Sequence, residues 1–227
     1  VKKPLALDFF IKVQIILVDN MIYTVILDHE KSRNYTESLI SNIQDHPYEV
    51  IDSSNLGTSF TESFNIGLIK GYKSKYDHIM VCNNDISLTS KNLDHLNLYI
   101  DSKIGIFSPS LNSPHSKVMS PIGSEDLREV YWIEFVAPIF HREVVKNIGM
   151  LDFDMPHGWG IELDYCYRSI LKNYKTYLIQ KVQIRHYEHQ SQEDKSSYRH
   201  HANIEMNHVL SSKYGSDWQG LLRYPQW

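Results

Sequence analysis

The stretch His78-Ile79-Met80-Val81-Cys82-Asn83-Asn84-Asp85 is an apolar run that stops abruptly on two amides and a carboxylate. A short run of this kind, bounded by turn formers, reads as a strand buried on both faces. The pattern occurs twice upstream: Tyr23 to Leu27 ends at Asp28, and Tyr48 to Ile51 ends at Asp52. Val13 to Val18 is rich in β-branched residues and reads as a further strand. Helical patterns separate these runs. Tyr35, Leu39 and Ile43 form a stripe within Ser32 to Ile43. Ser59 and Glu62 make a capping box that opens a helix with Phe60, Phe64 and Leu68 on one face, ending near Gly71. Ser90 opens another, with Leu93, Leu96 and Ile100. Strands alternating with helices imply an α/β fold: a mainly parallel central sheet flanked by helices. Ligands of such sheets sit beyond the carboxyl ends of the strands. Asp28, Asp52 and Asp85 all fall there.

Downstream, Gly105 to Phe107 reads as a strand. Ser108 to Arg128, with Pro109, Pro114, Pro121 and Gly123, is the least patterned stretch and predicts a mobile loop acting as a lid. Val130 to Phe140 returns to strand character, with Pro138 marking an edge or bulge. His141 to Asn147 predicts a short helix. Gly158-Trp159-Gly160 precedes a helix over Ile161 to Asn173, and Thr176 to Arg185 is a strand ending at His186. The tail, 190–227, is polar and then helical from about Ala202 to Lys213. Residues 1–227 read as one domain. Because the chain opens on Val1, that domain is compatible with being part of a larger protein.

Composition narrows the function classes. The chain has 227 residues and a net charge of −4; hydrophobic residues make up 42% and charged residues 22%. That is ordinary for a globular domain and argues against disorder. Mild acidity gives no electrostatic reason to bind nucleic acid. Cys82 and Cys166 cannot build a disulfide framework, so buried thiols in a reducing, cytoplasmic setting are expected. Phe9 to Val18 is interrupted by Lys12 and is too short to span a bilayer, so no transmembrane segment is expected. It has no small-residue cleavage site, so no signal peptide is expected either. Peripheral membrane association stays compatible. The Asn34-Tyr35-Thr36 sequon would matter only in a secretory compartment.

Three constellations carry chemistry. Asn83-Asn84-Asp85 could hold a divalent cation and a sugar hydroxyl, since oxygen ligands suit Mg²⁺ or Mn²⁺. The same residues are common in plain turns, and spacing alone leaves both readings open. Gly158-Trp159-Gly160-Ile161-Glu162-Leu163-Asp164 joins glycines, which let backbone approach a ligand closely, to acids in the first turn of a helix. Such acids either complement the helix dipole or act as a general base. Residues two apart do not share a helix face, so at most one of Glu162 and Asp164 points at a reacting atom. Trp159 is either a platform for a sugar face or core packing. His186, at a strand end, is either a metal ligand or a surface residue.

Taken together these elements resemble the inverting nucleotide-sugar glycosyltransferases with the GT-A fold, of the family 2 type, nearest to the rhamnosyltransferase-like branch. Asn55-Leu56-Gly57 followed by Asn65-Ile66-Gly67 is similar to that branch's helix-opening pattern. Val81 to Asp85 looks like its variant of the DxD motif. Val130 to Asp154 matches without a gap through Trp132, Ala137, Arg142, Glu143, Gly149 and Asp152. Gly160 to Arg168 keeps Asp164, Cys166 and Arg168 of the "GEDVDLCLR" helix. Ile184-Arg185-His186 looks like the strand ending in the late histidine, and Lys213-Tyr214-Gly215 resembles a closing "KWG". The resemblance runs from about residue 50 to 215.

It implies a nucleotide-diphosphate donor (a UDP-, dTDP- or GDP-sugar), a glycan or similar hydroxyl acceptor, and Mn²⁺ or Mg²⁺ held by Asp85 and His186. It places Asp28, Asp52, Asn55, Asn83, Asn84, Asp85 and Trp159 on the donor, and Glu162 or Asp164 as the base. The chain departs from the family twice. Aligning on Arg168 puts Ile161 and Glu162 where the family has Glu-Asp. Aligning on the "GWG.ED" form keeps Glu162 and puts Leu163 on the Asp. Glu162 survives either way and is the expected base. The N-terminal half also has one βα unit fewer before Asn55. The alternative, a non-catalytic sugar- or partner-binding domain on the same fold, draws on the incomplete Glu-Asp pair.

Overall fold

The computed structural model describes residues 21–29, 32–101, 103–112, 114–187 and 195–223. The strand expected at Val13 to Val18 lies outside them. Seven strands form one sheet: β1 (Ile22–Asp28), β2 (Tyr48–Asp52), β3 (His78–Asn83), β4 (Gly105–Leu111), β5 (Leu127–Val130), β6 (Ile139–His141) and β7 (Lys175–Ile184), in the spatial order β2-β1-β3-β6-β4-β7-β5. β1 pairs in parallel with β2 and β3, and β4 with β7. β6 runs antiparallel to both β3 and β4, and β5 antiparallel to β7. The expected mainly parallel sheet is met in part: five strands run one way, and two run against them, so the sheet is mixed.

The helices are α1 (Arg33–Ile43), α2 (Ser53–Leu56), α3 (Phe60–Lys73), α4 (Ser90–Ile100), α5 (Arg142–Ile148), α6 (Ile161–Ile170), α7 (Lys195–Tyr214) and α8 (Trp218–Arg223). α3 opens on the expected capping box: Ser59 Oγ accepts from the Glu62 N–H, and the Glu62 carboxylate accepts from the Ser59 N–H. α4 is capped by Thr89 and Asn92 in the same way. Each such cap satisfies two backbone donors that the helix itself cannot. β3 is buried along nearly its whole length, as a central strand covered on both faces must be. No helix among the described residues is long and apolar enough to cross a membrane. Cys82 and Cys166 are free and buried, and burial raises both thiols' pKa, so they stay protonated.

Two expectations for the middle of the chain are corrected. Ser108 to Leu111 is not loop but the continuation of β4, with every residue buried. Pro109 is tolerated because the register with β7 shifts between Pro109 and Ser110, a bulge where no ladder donor is needed. Within the remainder of the expected lid, side chains bond residues 118–125. Gln180 bonds the Ile122 N–H and the Glu125 carbonyl, and Arg128 donates to the Val118 and Ser120 carbonyls. Val130 to Phe140 is likewise not one strand. β5 ends at Val130, an irregular passage follows, and β6 begins after Pro138. Pro138 does not mark an edge: it leads into a strand at the centre of the sheet, where its carbonyl accepts from the Val81 N–H.

Candidate functional site

The strand directions place β1, β2, β3 and β7 with their carboxyl ends on one rim. Asp28 and Asp52 close β1 and β2, Asn83-Asn84-Asp85 ends β3, and His186 follows β7. A latch joins the last two. Ile86 and His186 form a β-bridge, the Tyr187 N–H donates to the Asp85 carbonyl at 2.9 Å, and the Ser87 N–H to the Arg185 carbonyl at 2.9 Å. In consequence His186 Nε2 lies 3.2 Å from Asp85 Oδ1, and the Asn83 amide lies 3.4 Å from the same ring nitrogen. Both residues named as metal ligands thus meet, with side chains about one-tenth exposed.

Their donor set fits a divalent ion of the Mg²⁺ or Mn²⁺ kind. Adjacent ligands of an octahedral ion at about 2.1 Å stand about 3 Å apart, the spacing of this pair. An imidazole beside a carboxylate leans toward Mn²⁺. Among the described residues no group of three or more His, Cys, Asp or Glu side chains is placed to hold a metal. The pair therefore needs further oxygens from elsewhere, and Mg²⁺-type sites ordinarily draw these from substrate phosphates and water.

Glu162 and Asp164 part company. Asp164 is fully buried. Its Oδ2 accepts from Arg168 Nε at 2.8 Å, and its Oδ1 from Lys213 Nζ and from the Tyr214 hydroxyl at 2.7 Å. Arg168 also donates to the Ile148 and Met150 carbonyls, and Lys213 to Asp152. Asp164 is thus the hub joining α6, α7 and the turn after α5, and no oxygen is left for a reacting hydroxyl. Its observed contacts are those of an anchor between these elements.

Glu162 is part-exposed at the opening turn of α6, which starts on the same rim because α6 runs back to the far end of β7. Loss of solvent pushes its carboxyl up to about 7, and the neighbouring Glu134 charge pushes the same way. Arg223 and the backbone at Gly160 and Glu162 pull against them. A base with a pKa near neutral is well matched to taking a hydroxyl proton.

Glu134 escaped the sequence reading. Its carboxyl is raised by burial and held by the Ser116 N–H at 2.6 Å, with His115 and His186 favouring its charge. Its charge is felt electrostatically by Glu162, and that of His186 by Glu134. The available signal was a lone acid inside the apolar run from Val130 to Phe140.

The donor residues divide. Asn84 is buried, its amide donating to Asp28, to the Ser32 carbonyl and hydroxyl, and to Thr36. Asp28 is buried too, accepting from Thr36 and paired with Arg33. Asp28 and Asn84, both expected on the donor, fix the start of α1 to the ends of β1 and β3. Asp52 caps α2 through the Asn55 N–H and amide, and pairs with Arg33 at 2.7 Å. Asp52 and Asn55 stay accessible on the rim, and half-exposed Arg33 is a cation there that the sequence reading did not single out.

Trp159 is half-buried against the core. The glycines beside it are required by packing. Gly158 and Gly160 have φ of +80° and +84°, and a Cβ would come within 2.3 Å of Phe60 and 2.6 Å of Met206. Gly158→Ala combines left-handed strain with overpacking. We expect it to cost at least about 2 kcal/mol, lowering the melting temperature by roughly 4–8 °C. A melt within a degree of the parent would show that Phe60 yields.

No protein-family model matches the sequence, and no curated protein matches it. Similarity appears at the level of structure. A197 from STIV superposes with a TM-score of 0.53 at 12% identity, over 75% of this chain and 87% of that one. GalNAc-T7, solved with UDP, GalNAc and Mn²⁺, superposes with a TM-score of 0.59 at 10% identity, over 88% of this chain. The match spans half the length of the GalNAc-T7 chain. At these identities the likeness concerns the backbone, and with the mixed sheet it shows that the chain has a GT-A-like fold.

Proposed function

We propose that the chain is a metal-dependent inverting glycosyltransferase, moving a sugar from a nucleotide-diphosphate donor to a hydroxyl of a glycan or similar acceptor. The observation that carries this is the meeting of Asp85 and His186 on the rim where Glu162 is held near neutral pKa. The UDP, GalNAc and Mn²⁺ bound to the structurally similar GalNAc-T7 support the nucleotide-sugar and metal parts of this reading.

Asp85 and His186 would hold the ion, with Asn83 steadying the imidazole. When bound, the ion supplies positive charge against the departing diphosphate. Glu162 takes the acceptor hydroxyl's proton as that oxygen bonds to the anomeric carbon. The bond from that carbon to the phosphate oxygen breaks, and its electron pair leaves on the diphosphate. Attack from the opposite face inverts the centre. Burial, with a smaller push from the Glu134 carboxylate, keeps the base's proton affinity high. Asp52, Asn55 and Arg33 offer rim contacts to the donor, and Trp159 a flat face to a sugar.

Thermal-shift titration with UDP-, dTDP- and GDP-sugars, with and without Mn²⁺, tests this. Ligand at a hundred times its Kd adds about 2.7 kcal/mol, a shift of several degrees. We expect a shift that requires Mn²⁺ and disappears in Asp85→Ala. Full transfer in excess chelator would sink the metal role. The shortage of protein ligands keeps a second reading alive, a non-catalytic sugar-binding domain. Metal-independent binding with no turnover would favour it.

A further inference from the structure

α7 holds the turn that leads into α6 at two places. The first is His157. Its backbone N–H donates to Glu205 Oε1 at 3.0 Å, and its ring Nδ1 lies 2.6 Å from Glu205 Oε2. The Tyr198 hydroxyl donates to the His157 carbonyl. Burial and the Glu205 charge push that hydroxyl's pKa up to about 12, so it stays a donor. The rings of Tyr198 and His201 lie against the imidazole, at 5.2 and 6.3 Å. Tyr198, His201 and Glu205 are spaced three and four apart, which puts them on one face of α7. The second place is Gly160, where a Cβ would meet Met206 at 2.6 Å and Leu210 at 3.1 Å.

The turn itself is built to swivel. Gly158 and Gly160, both at positive φ, flank Trp159, and glycine has the widest backbone freedom. Gly160 is also the N-cap of α6, and no side chain caps it. Glu162 stands two residues further on, and the backbone at Gly160 favours its charged form. Where Gly160 sits therefore decides where the Glu162 carboxylate sits. α7 is tethered separately at its other end, by Lys213 and Tyr214 on Asp164. Loss of the grip on His157 thus frees the turn without releasing the helix.

We propose that Glu205 is a positioning residue: by gripping His157 it fixes the Gly158-Trp159-Gly160 turn and so aims the Glu162 carboxylate into the cleft. The aiming of a base rests on the transferase reading; the clamp on the turn does not.

The test is a ¹³C NMR titration of the Glu162 carboxyl in glutamate-labelled protein, without metal, donor or acceptor. The signal is identified by its absence from Glu162→Gln. In the parent its midpoint should lie near 7. Burial is the largest cause of that elevation, so a freed turn that admits water should lower the midpoint. For Glu205→Ala the fall should be at least about one unit, tenfold in proton affinity. Glu205→Gln removes the charge but keeps an acceptor for the His157 N–H and a donor for the ring nitrogen, so its midpoint should return close to the parent's. Tyr198→Phe changes no charge and loses the bond to the His157 carbonyl. It should move the midpoint the same way, and it carries the test if Glu205→Ala fails to fold. Glu134 and Arg223, whose charges Glu162 feels, are unchanged in every variant. In sugar transfer, Glu205→Ala should lower kcat by about ten- to a hundredfold and leave the donor KM unchanged, since misplacement by about 1 Å is worth up to about 10²-fold. The proposal is overturned if the midpoint holds in a folded Glu205→Ala, or if Glu205→Gln moves it as far, which would make the effect one of charge. A moved midpoint in a protein that never transfers sugar would retain the clamp and sink the transferase. Transfer with the midpoint unmoved would do the reverse.

Discussion

Glu162→Gln should lower the turnover of sugar transfer by at least about a hundredfold, with donor affinity near that of the parent. The substitution keeps the shape and removes the proton acceptor, and general-base catalysis is typically worth about 10²- to 10⁴-fold. The metal pair lies just past the ends of β3 and β7 rather than on α6, so Mn²⁺-dependent thermal shifts should persist. The parent's kcat/KM should climb with pH through about 7 and then level, following ionisation of this carboxyl. The same residue leaves a mark on stability. Its folded pKa lies above the ordinary 4.5, so the folded protein binds more protons than the unfolded chain between those values. Stability is therefore lost as pH rises from about 4.5 to about 7. Glu162→Gln should melt higher than the parent at pH 8, by about 1–3 kcal/mol, and gain nothing at pH 4. A variant that turns over like the parent would remove Glu162 from the chemistry; a gain equal at both pH values would refute the burial argument.

Asp164→Asn should do its damage to the fold. It leaves Arg168 and Lys213 facing a neutral amide, and breaking a buried pair costs about 3–5 kcal/mol. At about 2–4 °C per kcal/mol the melting temperature should fall by roughly 6–20 °C. Activity assayed well below the new melt should survive better than in Glu162→Gln. If Asp164→Asn melts normally and Glu162→Gln alone keeps turnover, the two carboxylates have been assigned the wrong way round.

The strand ends and helix caps were legible because their signals are local. Ser59 and Glu62 lie within one turn, and an apolar run that halts on Asn83-Asn84-Asp85 shows where β3 stops. Asp85 and His186 meet through a latch between strands that are distant in sequence; no periodicity reports such a contact, and their pairing entered through the family resemblance. β6 was hidden because a three-residue strand has too few positions for an alternation, and Pro138 argued for an edge. Asp164 looked like Glu162 because acids in a first helical turn are alike in sequence. What separates them is Arg168 one turn on and Lys213-Tyr214 much later. That gives the closing Lys213-Tyr214-Gly215 a physical reason, since the Lys213 and Tyr214 side chains grip Asp164. Asn65 has one as well, exchanging bonds with both backbone groups of Leu151.

The position of β6 also sets an order of events. β2, β1 and β3 lie on one side of it, and β4, β7 and β5 on the other. As the chain leaves the ribosome, the first three strands and their helices can assemble early, but β3 then presents an open edge from residue 83 until residues 139–141 emerge. β4 appears in that interval and has no place to dock directly. An open apolar edge invites pairing with other chains, and slow long-range closure prolongs the exposure. The two halves of the sheet thus become one only when a three-residue strand arrives, and a chain interrupted before it carries one edge of the apolar strand β3 uncovered.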